Sequence, residues 1–353
     1  MRTDSLAFVP KIYFPQSIYL SEKYTEIIKL VTFKKPLIII SSSFQKSGKS
    51  GFANSQQISR KLGASGVVYR HSGEPKMRDI DKFEKIHARE KFDLIIAIGG
   101  GSVLDLSKVL KNNWKSKLVA IPTTIGSSSE VSRFSLISQA GKKTIFHSEE
   151  FLPDIVIFNY ELFMGIDKHT LALQGIDALA HGLESLVSRL ANPISDSFAL
   201  SSIDGIYSAL VNLQKEGKSK EVLEKLKIFS TMAGFAQSSV GTGLIHALAH
   251  YFGVKNTIPH ASAVATFLVD GLAVNLKKST LYKKLDGVKI LSSKNLLYRL
   301  TKLFNDIAVK QEKIKVDGDL EETANQIRSD ITMLTNPFTP TVDDISNIIK
   351  KHL

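Results

Sequence analysis

Aspartate and histidine recur at helical spacing in the second half of the chain. Asp177 and His181 bracket the sequence DALAH, and His246 and His250 bracket HALAH. Residues four apart lie on one face of a helix, one turn from each other. The flanking side chains are small or apolar, so an ionised carboxylate and an imidazole there need a partner. Each pair alone indicates no more than a hydrogen bond along a helix face.

A fifth candidate, His260, follows Pro259, and proline is typical of the first turn of a helix. His260 can therefore fold back on the preceding helix and meet the two pairs. We expect three nitrogens and one oxygen to converge, a set that suits Fe²⁺ or Zn²⁺. One combination that can supply such a set is Asp177, His181, His246 and His260. Because five candidates compete for about four ligand positions, one of them has another role.

Two turns in the first half of the chain could bind phosphate. Gly99, Gly100 and Gly101 follow an apolar run and lead through Ser102 into an amphipathic stretch. Glycine lets backbone N–H groups approach an anion at a helix N-terminus, and Ser102 is the predicted N-cap. The alternative is a tight turn with a purely structural role.

The next apolar run ends in Thr123 and Thr124, followed by the polar stretch IGSSSEVSR. Both turns are expected at the carboxyl edge of one sheet, where open α/β sheets bind ligands. Together they indicate a dinucleotide site, although serine and threonine also satisfy the backbone of ordinary loops.

Five short apolar runs, joined by amphipathic stretches, predict a parallel sheet covered on both faces. These runs are 35–42, 66–71, 93–100, 117–124 and 154–159, and a hairpin is expected within 133–148. Helical periodicity then dominates in 167–190, 195–213, 219–240, 242–253 and 259–276. We therefore predict an α/β domain over 1–162 and an all-helical domain over 163–353, with a ligand in the cleft between them.

Composition narrows the function classes. The 353 residues include no cysteine, which excludes disulfides, zinc-thiolate sites and cysteine nucleophiles. The net charge of +12 is spread along the chain without a nucleic-acid-binding motif, so we expect no nucleic-acid partner. Neither a membrane-spanning run nor a signal peptide is recognisable, so a cytoplasmic protein without a membrane partner is expected.

Several segments, in order, resemble the iron-containing (group III) alcohol dehydrogenase family, whose relatives include glycerol dehydrogenase and dehydroquinate synthase. The segments are AIGGGSVLDLSK (97–108), IPTTIGSSSEVSRFSLI (121–137), GIDALAHGLESLVS (175–188), NPISD (192–196) and GLIHALAHYFGVKNTIPHASA (243–263). The resemblance implies a Rossmann-like α/β dinucleotide-binding domain followed by an all-helical domain that binds a divalent metal. It also implies a homodimer.

The resemblance implies roles for individual residues. Asp177, His181, His246 and His260 are the implied metal ligands, and His250 is the neighbour that helps to relay a proton. The implied pyrophosphate-turn residues are Gly99, Gly100, Gly101, Ser102 and Asp105. The implied nicotinamide-side residues are Thr123, Thr124 and Ser129, with weaker cofactor positions at Lys143 and Leu162.

Three departures from the family pattern matter. Ser128 stands where glycine is common, and Gln174 where threonine is usual, so the local loop geometry is in doubt. Ser41 stands where members that prefer NAD commonly have aspartate, which would bind the ribose 2′-hydroxyl and repel a 2′-phosphate. Since Ser42, Ser43 and Lys46 could donate hydrogen bonds to that phosphate, we expect NADP(H) to be preferred over NAD(H).

The expected activity is hydride transfer between the nicotinamide and a small alcohol or aldehyde, with Fe²⁺ or Zn²⁺ on the substrate oxygen. The basic chain favours an anionic aldehyde that carries a phosphonate or phosphate. The alternatives are a cyclase of the dehydroquinate synthase type and a non-catalytic module that binds nucleotide or metal.

Overall fold

The structure is a computed structural model that describes residues 15–42, 67–139, 142–287 and 291–353. Its first half contains a parallel sheet of six described strands in the order β1-β8-β5-β4-β2-β3. The strands are β1 (Ser17–Leu20), β2 (Pro36–Ser41), β3 (Val67–His71), β4 (Leu94–Gly99), β5 (Lys117–Pro122) and β8 (Ile155–Phe158). The predicted hairpin is confirmed as β6 (Phe134–Gln139) and β7 (Lys142–His147), which pair antiparallel.

The sheet is buried on both faces, as the continuous apolar runs predict. Every residue of β4 is buried, and β4 pairs along its length with β2 and β5. Along β2, Leu37 and Ile39 face a cluster that includes Ile80 and Leu104 from helices of the first half. The alternate residues, including Ile38, belong to a second cluster that continues into the helical half. One face of the sheet therefore packs against the helices that carry the histidines.

Helices flank the sheet and make up the second half of the chain. In the first half they are α1 (Tyr24–Ile28), α2 (Met77–Ile86), α3 (Gly101–Trp114) and α4 (Glu161–Met164). The second half contains α5 (Lys168–Val187), α6 (Pro193–Glu216), α7 (Lys220–Val240), α8 (Leu244–Lys255), α9 (His260–Lys278), α10 (Leu296–Asp306), α11 (Leu320–Arg328) and α12 (Val342–Lys350). Among the described helices, none combines the length and apolar character that a bilayer span requires.

The sequence order of the two halves agrees with the predicted fold class. The last strand of the sheet ends at Phe158, and the long helix α5 begins at Lys168. The domain boundary placed between residues 162 and 163 falls within the short helix α4. That boundary remains a prediction. The loop after β5 contacts α5 at Gln174 and Asp177, so the threonine turn, and the glycine turn packed against it, lie on the side of the sheet that faces this helix.

Candidate active site

Imidazole rings converge on one oxygen of the Asp177 carboxylate. Asp177 and His181 lie one turn apart on α5, and His246 lies near the start of α8. Asp177 Oδ1 is 3.6 Å from His246 Nε2 and 4.0 Å from His181 Nε2. One ligand atom from each residue lies within 4.8 Å of the others, and all three residues are buried. We call these three residues the buried triad; such donors can hold a divalent cation.

Polar atoms of the buried triad lack partners in the part of the chain that the structure describes. Asp177 Oδ1 and His246 Nε2 are both shielded from solvent without a hydrogen bond. An unsatisfied buried donor or acceptor costs about 1–3 kcal/mol. A cation between these atoms would satisfy both at once. The residues present therefore fit Fe²⁺ or Zn²⁺, which both accept imidazole and carboxylate ligands.

His260 lies at the mouth of the buried triad. It is the first residue of α9, directly after Pro259, so the predicted helix start is confirmed. Asp177 Oδ1 is 3.6 Å from His260 Nε2, and it is the same distance from His246 Nε2. The His260 side chain is 43% exposed, compared with 3% for His246. The geometry is compatible with a fourth ligand, and that role remains a prediction.

His250 lies beside the buried triad. Its ring centroid is 6.1 Å from that of His246 and 5.7 Å from that of His260. His250 Nδ1 is 3.1 Å from Asp330 Oδ2. Sequence reasoning missed Asp330, which lies 80 residues further along the chain and belongs to no motif.

Glu184 joins the two helices that carry the buried triad. One of its oxygens is 2.5 Å from His246 Nδ1, and the other accepts a hydrogen bond from Ile245 N at 2.7 Å. The N-cap residue of α8 is Gly243, which has no side chain to accept hydrogen bonds from the first turn of the helix. Glu184 and Asn336 replace the missing cap, because Asn336 Oδ1 accepts from Leu244 N at 3.0 Å. Sequence reasoning missed Glu184, although an acid on the apolar face of α5 was a usable signal.

Burial and neighbouring charges oppose each other at the buried triad. Burial would raise the pKa of Asp177, but the surrounding imidazoles, first that of His181, hold it below its ordinary value. Burial lowers the pKa of His181 to about 3. Burial acts in the same direction on His246, but the carboxylate of Glu184 outweighs it and raises the pKa of His246 to about 9. An ionised Asp177 and a neutral His181 therefore offer lone pairs to a cation at neutral pH.

The glycine turn after β4 packs against the threonine turn after β5. Thr123 N donates a hydrogen bond to the carbonyl oxygen of Gly99 at 2.9 Å. A Cβ added to Gly100 would lie 3.0 Å from Thr124 Cγ2, so the close approach of the turns favours glycine. Thr124 Oγ1 is buried without a hydrogen-bond partner among the described residues. The packing of the two turns therefore leaves this buried hydroxyl unsatisfied among the described residues.

The prediction that Ser102 caps the helix after the glycine turn is wrong. Helix α3 begins at Gly101, and Gly100 is its N-cap residue, with φ −81° and ψ −170°. Gly100 is the single residue between β4 and α3, so the helix starts too early for Ser102 to precede it. Since no described side chain caps α3, its first N–H groups can bind an anion.

The loop after the threonine turn reaches Asp177. Ile125 N donates to Gln174 Oε1 at 2.9 Å, so the residue that departs from the family pattern holds this loop. A Cβ added to Gly126 would lie 2.5 Å from the carbonyl oxygen of Gln174 and 3.2 Å from Asp177 Oδ2. A side chain at this position would collide with the backbone of α5. Glycine therefore brings the loop into contact with the buried triad.

Ser128 adopts the backbone conformation that glycine would adopt. Its φ of 51° and ψ of 12° lie in the left-handed region. Its buried hydroxyl donates to the carbonyl oxygen of Ser230 at 3.3 Å. A Cβ added to Gly234 of α7 would lie 2.5 Å from Ser128 Cβ, so Gly234 makes room for the serine. Ser128 therefore occupies a left-handed turn, a conformation that glycine adopts without steric cost.

Asp105 and Ser129, two predicted cofactor residues, hydrogen-bond to each other. Ser129 Oγ donates to Asp105 Oδ1 at 2.5 Å, and Leu136 N donates to Asp105 Oδ2 at 3.2 Å. The Asp105 carboxylate therefore holds the loop after β5 and the start of β6 against α3. Direct cofactor contacts of these two residues remain a prediction.

The remaining predicted cofactor residues are widely separated. Ser41 ends β2 and pairs in register with His71 at the end of β3. Leu162 is buried in the apolar cluster that joins the sheet to the helical half. Lys143 pairs with Ser138 in the β6-β7 hairpin, and its side chain lies outside the described part of the structure. Their cofactor roles also remain predictions.

Comparison with known proteins agrees with this architecture. The family models "Iron-containing alcohol dehydrogenase" and "Fe-containing alcohol dehydrogenase family, C-terminal" match residues 11–160 and 171–353. Alcohol dehydrogenase 4 of Saccharomyces cerevisiae (strain YJM789) is 28% identical over 366 residues, covering 94% of each protein. The 4-hydroxybutyrate dehydrogenase of Clostridium kluyveri is 27% identical over 315 residues, covering 79% of this chain and 84% of that protein.

Solved structures show the same fold. The iron-containing alcohol dehydrogenase from Thermococcus thioreducens matches with a TM-score of 0.84 and 25% identity, covering 97% of this chain and 99% of that chain. The family models cover both halves of the chain, and the shared fold extends over almost its whole length. The chain therefore belongs to the iron-containing alcohol dehydrogenase family, whose members are oxidoreductases that act on alcohols.

Proposed function

We propose that the chain is a metal-dependent alcohol dehydrogenase or aldehyde reductase that uses NAD(H) or NADP(H). The observation that carries this proposal is the position of Gly126. This residue follows the threonine turn, where a dinucleotide would bind, and lies against the Asp177 carboxylate of the buried triad. A dinucleotide on the glycine and threonine turns would then end beside the buried triad. The proposed reaction is hydride transfer between the nicotinamide C4 and the carbon of a primary alcohol or aldehyde.

The chain's own groups have distinct tasks in this proposal. The residues that would hold the metal are Asp177, His181, His246 and His260. A bound divalent metal supplies Lewis-acid chemistry toward the substrate oxygen, and the nicotinamide supplies or accepts the hydride. Glu184 accepts the hydrogen bond from His246 Nδ1 and so leaves Nε2 for the metal. His250, 25% exposed beside the triad, is placed to exchange a proton with the substrate.

We further propose that NADP(H) is preferred to NAD(H). Ser41 lies at the carboxyl end of β2, the position from which an aspartate would repel a 2′-phosphate. Its neighbour in the sheet is His71, so this strand pair contributes no carboxylate at its end. Ser42 follows directly, while Ser43 and Lys46, the other expected phosphate donors, lie outside the described residues.

An anionic aldehyde is the proposed substrate class. The net charge of +12 favours anions near the protein. A relative of similar length, from Clostridium kluyveri, is a 4-hydroxybutyrate dehydrogenase. A test panel should pair neutral aldehydes with aldehydes of equal chain length that carry a carboxylate, phosphonate or phosphate.

The test is a metal-dependent turnover assay. Purified protein is stripped of metal, reloaded with Fe²⁺ or Zn²⁺, and mixed with NADPH or NADH and the aldehyde panel while nicotinamide absorbance is followed. Metal-dependent oxidation of the cofactor supports the proposal. Absence of turnover with either metal would favour the non-catalytic module, and carbocycle formation without net cofactor consumption would favour the dehydroquinate synthase type.

Two variants separate the metal ligands from the proton relay. His260→Ala should lose both bound metal and turnover, because a ligand set with one donor fewer binds weakly. His250→Ala should keep the metal and lose most of the turnover. Equal loss of metal from both variants would contradict this division of roles.

A further inference from the structure

The C-terminal segment brings a carboxylate to His250. Asp330 lies after α11, directly before the 3₁₀ turn Ile331–Leu334. Its Oδ2 is 3.1 Å from His250 Nδ1, and the two side chains are 21% and 25% exposed. An ionised carboxylate can only accept hydrogen bonds, so His250 Nδ1 carries the hydrogen in this contact. In a neutral ring, Nε2 is then the nitrogen with a free lone pair.

Asp330 is itself anchored to the helix that carries His250. Asp330 Oδ1 accepts a hydrogen bond from Thr332 N at 2.9 Å and lies 2.7 Å from Thr332 Oγ1. Thr332 Oγ1 also lies 3.1 Å from the carbonyl oxygen of Gly243, the residue directly before α8. The carboxylate therefore contacts the imidazole of His250 directly and is linked to the start of α8 through the hydroxyl of Thr332. Burial opposes ionisation, but the hydrogen bond with His250 holds the pKa of Asp330 below its ordinary value.

We propose that Asp330 is a positioning residue that fixes the ring orientation of His250 and keeps its hydrogen on Nδ1, so that Nε2 exchanges the proton with the substrate. This inference rests on the proposed function, because His250 meets a substrate only in a dehydrogenase or reductase. It extends the site to a segment outside the two motifs that supply the buried triad.

The substitution Asp330→Asn distinguishes the positioning role from a purely structural one. Asparagine is as good an N-cap as aspartate, so Asp330→Asn preserves the cap on Thr332 N. The amide nitrogen of the new side chain would instead donate to His250 Nδ1, which moves the ring hydrogen to Nε2. Structural capping alone therefore predicts normal turnover, whereas positioning predicts a loss of kcat.

The experiment is a double-mutant cycle of Asp330→Asn with His250→Ala. We expect Asp330→Asn to lower kcat by about 100-fold or more, with little change in KM or metal content. In the His250→Ala background it should cause no further loss. The matched control is Asp270→Asn, which alters another Asp–His contact, 3.0 Å between Asp270 Oδ2 and His352 Nε2, and should leave kcat unchanged.

A second readout does not depend on turnover. Long-range ¹⁵N–¹H spectra of the Zn²⁺-loaded protein, with labelled histidine and His250→Ala for assignment, report which ring nitrogen carries the hydrogen. We expect Nδ1–H for His250 in the wild type and Nε2–H in Asp330→Asn. An Nε2–H tautomer in the wild type, or an equal loss of kcat with and without His250, would overturn the proposal. A protein without turnover that shows the expected tautomers would contradict the proposed function and leave the positioning intact.

Discussion

Lys227 of α7 and Glu130 of the loop after β5 form an ion pair with both side chains fully buried. Lys227 Nζ is 2.5 Å from Glu130 Oε1, and it also donates to the carbonyl oxygens of Thr124 and Ile125 at 3.2 and 3.3 Å. One ammonium group thus holds three points of the loop that connects the threonine turn to the buried triad. The loop after the threonine turn is therefore fixed to the helical half by a buried ion pair.

Lys227→Met should destabilise the protein by about 3–5 kcal/mol, because it leaves the Glu130 carboxylate buried without its partner. The measurement is the free energy of unfolding in urea. The matched control on the same helix is Lys225→Met, whose partner Glu221 and own side chain are 76% and 51% exposed. The control should change stability by less than about 1 kcal/mol.

Adding Glu130→Gln to Lys227→Met should recover much of the lost stability, since the remaining buried group is then neutral. If Lys227→Met costs no more than Lys225→Met, the pair does not hold the loop in solution.

Glu184→Gln should weaken metal binding by about 10- to 100-fold, the usual effect of removing a carboxylate behind a metal-bound histidine. The glutamine oxygen still accepts from Ile245 N, so the start of α8 is preserved. Competition between the protein and a chelator for Zn²⁺ measures the change without any assay of activity. Unchanged affinity would show that Glu184 caps α8 without orienting His246.

The sequence predicts the buried strands of the sheet better than its edge. Strand β4 is buried along its whole length, so it appears as a continuous apolar run. Strand β1 (Ser17–Leu20) has four residues that alternate between partly buried and exposed at the edge of the sheet, and its short pattern gave no strand prediction. Central strands bury both faces and leave a strong apolar signal, whereas a short edge strand does not.

At the candidate site, contacts within one helix were predictable from the sequence, whereas contacts between distant segments were not. Asp177 and His181 were predictable because helical spacing within one segment places them together. The contacts of Glu184 with His246 and of Asp330 with His250 join residues 62 and 80 positions apart. Such contacts depend on how helices pack against one another, and the hydrophobic periodicity of a sequence does not specify that packing. The residues that orient the site therefore emerged only from the structure.

Gly234→Ala should destabilise the protein by about 1–3 kcal/mol through overpacking against Ser128. An added Cβ would lie 2.5 Å from Ser128 Cβ and 2.7 Å from Ser128 Oγ. In a Ser128→Gly background both contacts disappear, so the same substitution should cost about 1 kcal/mol less. Gly165→Ala is the control, since its added Cβ meets no atom within 4 Å in the structure. Thermal or urea unfolding of the four proteins measures the coupling, and additive effects would contradict the packing of Ser128 on Gly234.

Lys108 should make stability rise with pH in the alkaline range. Burial lowers the pKa of Lys108 to about 8 from an ordinary value of 10.5, despite the attraction of Asp105. Between these values the unfolded chain binds more protons than the folded one, so the free energy of unfolding increases with pH. The free energy of unfolding should rise by about 3 kcal/mol in total between pH 8 and 10.5, and Lys108 should cause no rise below pH 8. Burial also lowers the pKa of Lys227, so some rise remains without Lys108. Urea unfolding from pH 7.5 to 10.5 should therefore show a larger rise in the wild type than in Lys108→Met, and parallel curves would refute the shift.

Ser41→Asp should move cofactor preference from NADP(H) toward NAD(H). A carboxylate at the end of β2 would accept hydrogen bonds from the ribose 2′-hydroxyl and repel a 2′-phosphate. We expect the ratio of kcat/KM for NADPH to that for NADH to fall by at least about tenfold, because like charges at close range cost several kcal/mol. Ser41→Asn has nearly the same shape without the charge and should change the ratio much less. A wild-type protein that clearly prefers NADH, or equal shifts in the two variants, would show that the end of β2 does not select the cofactor.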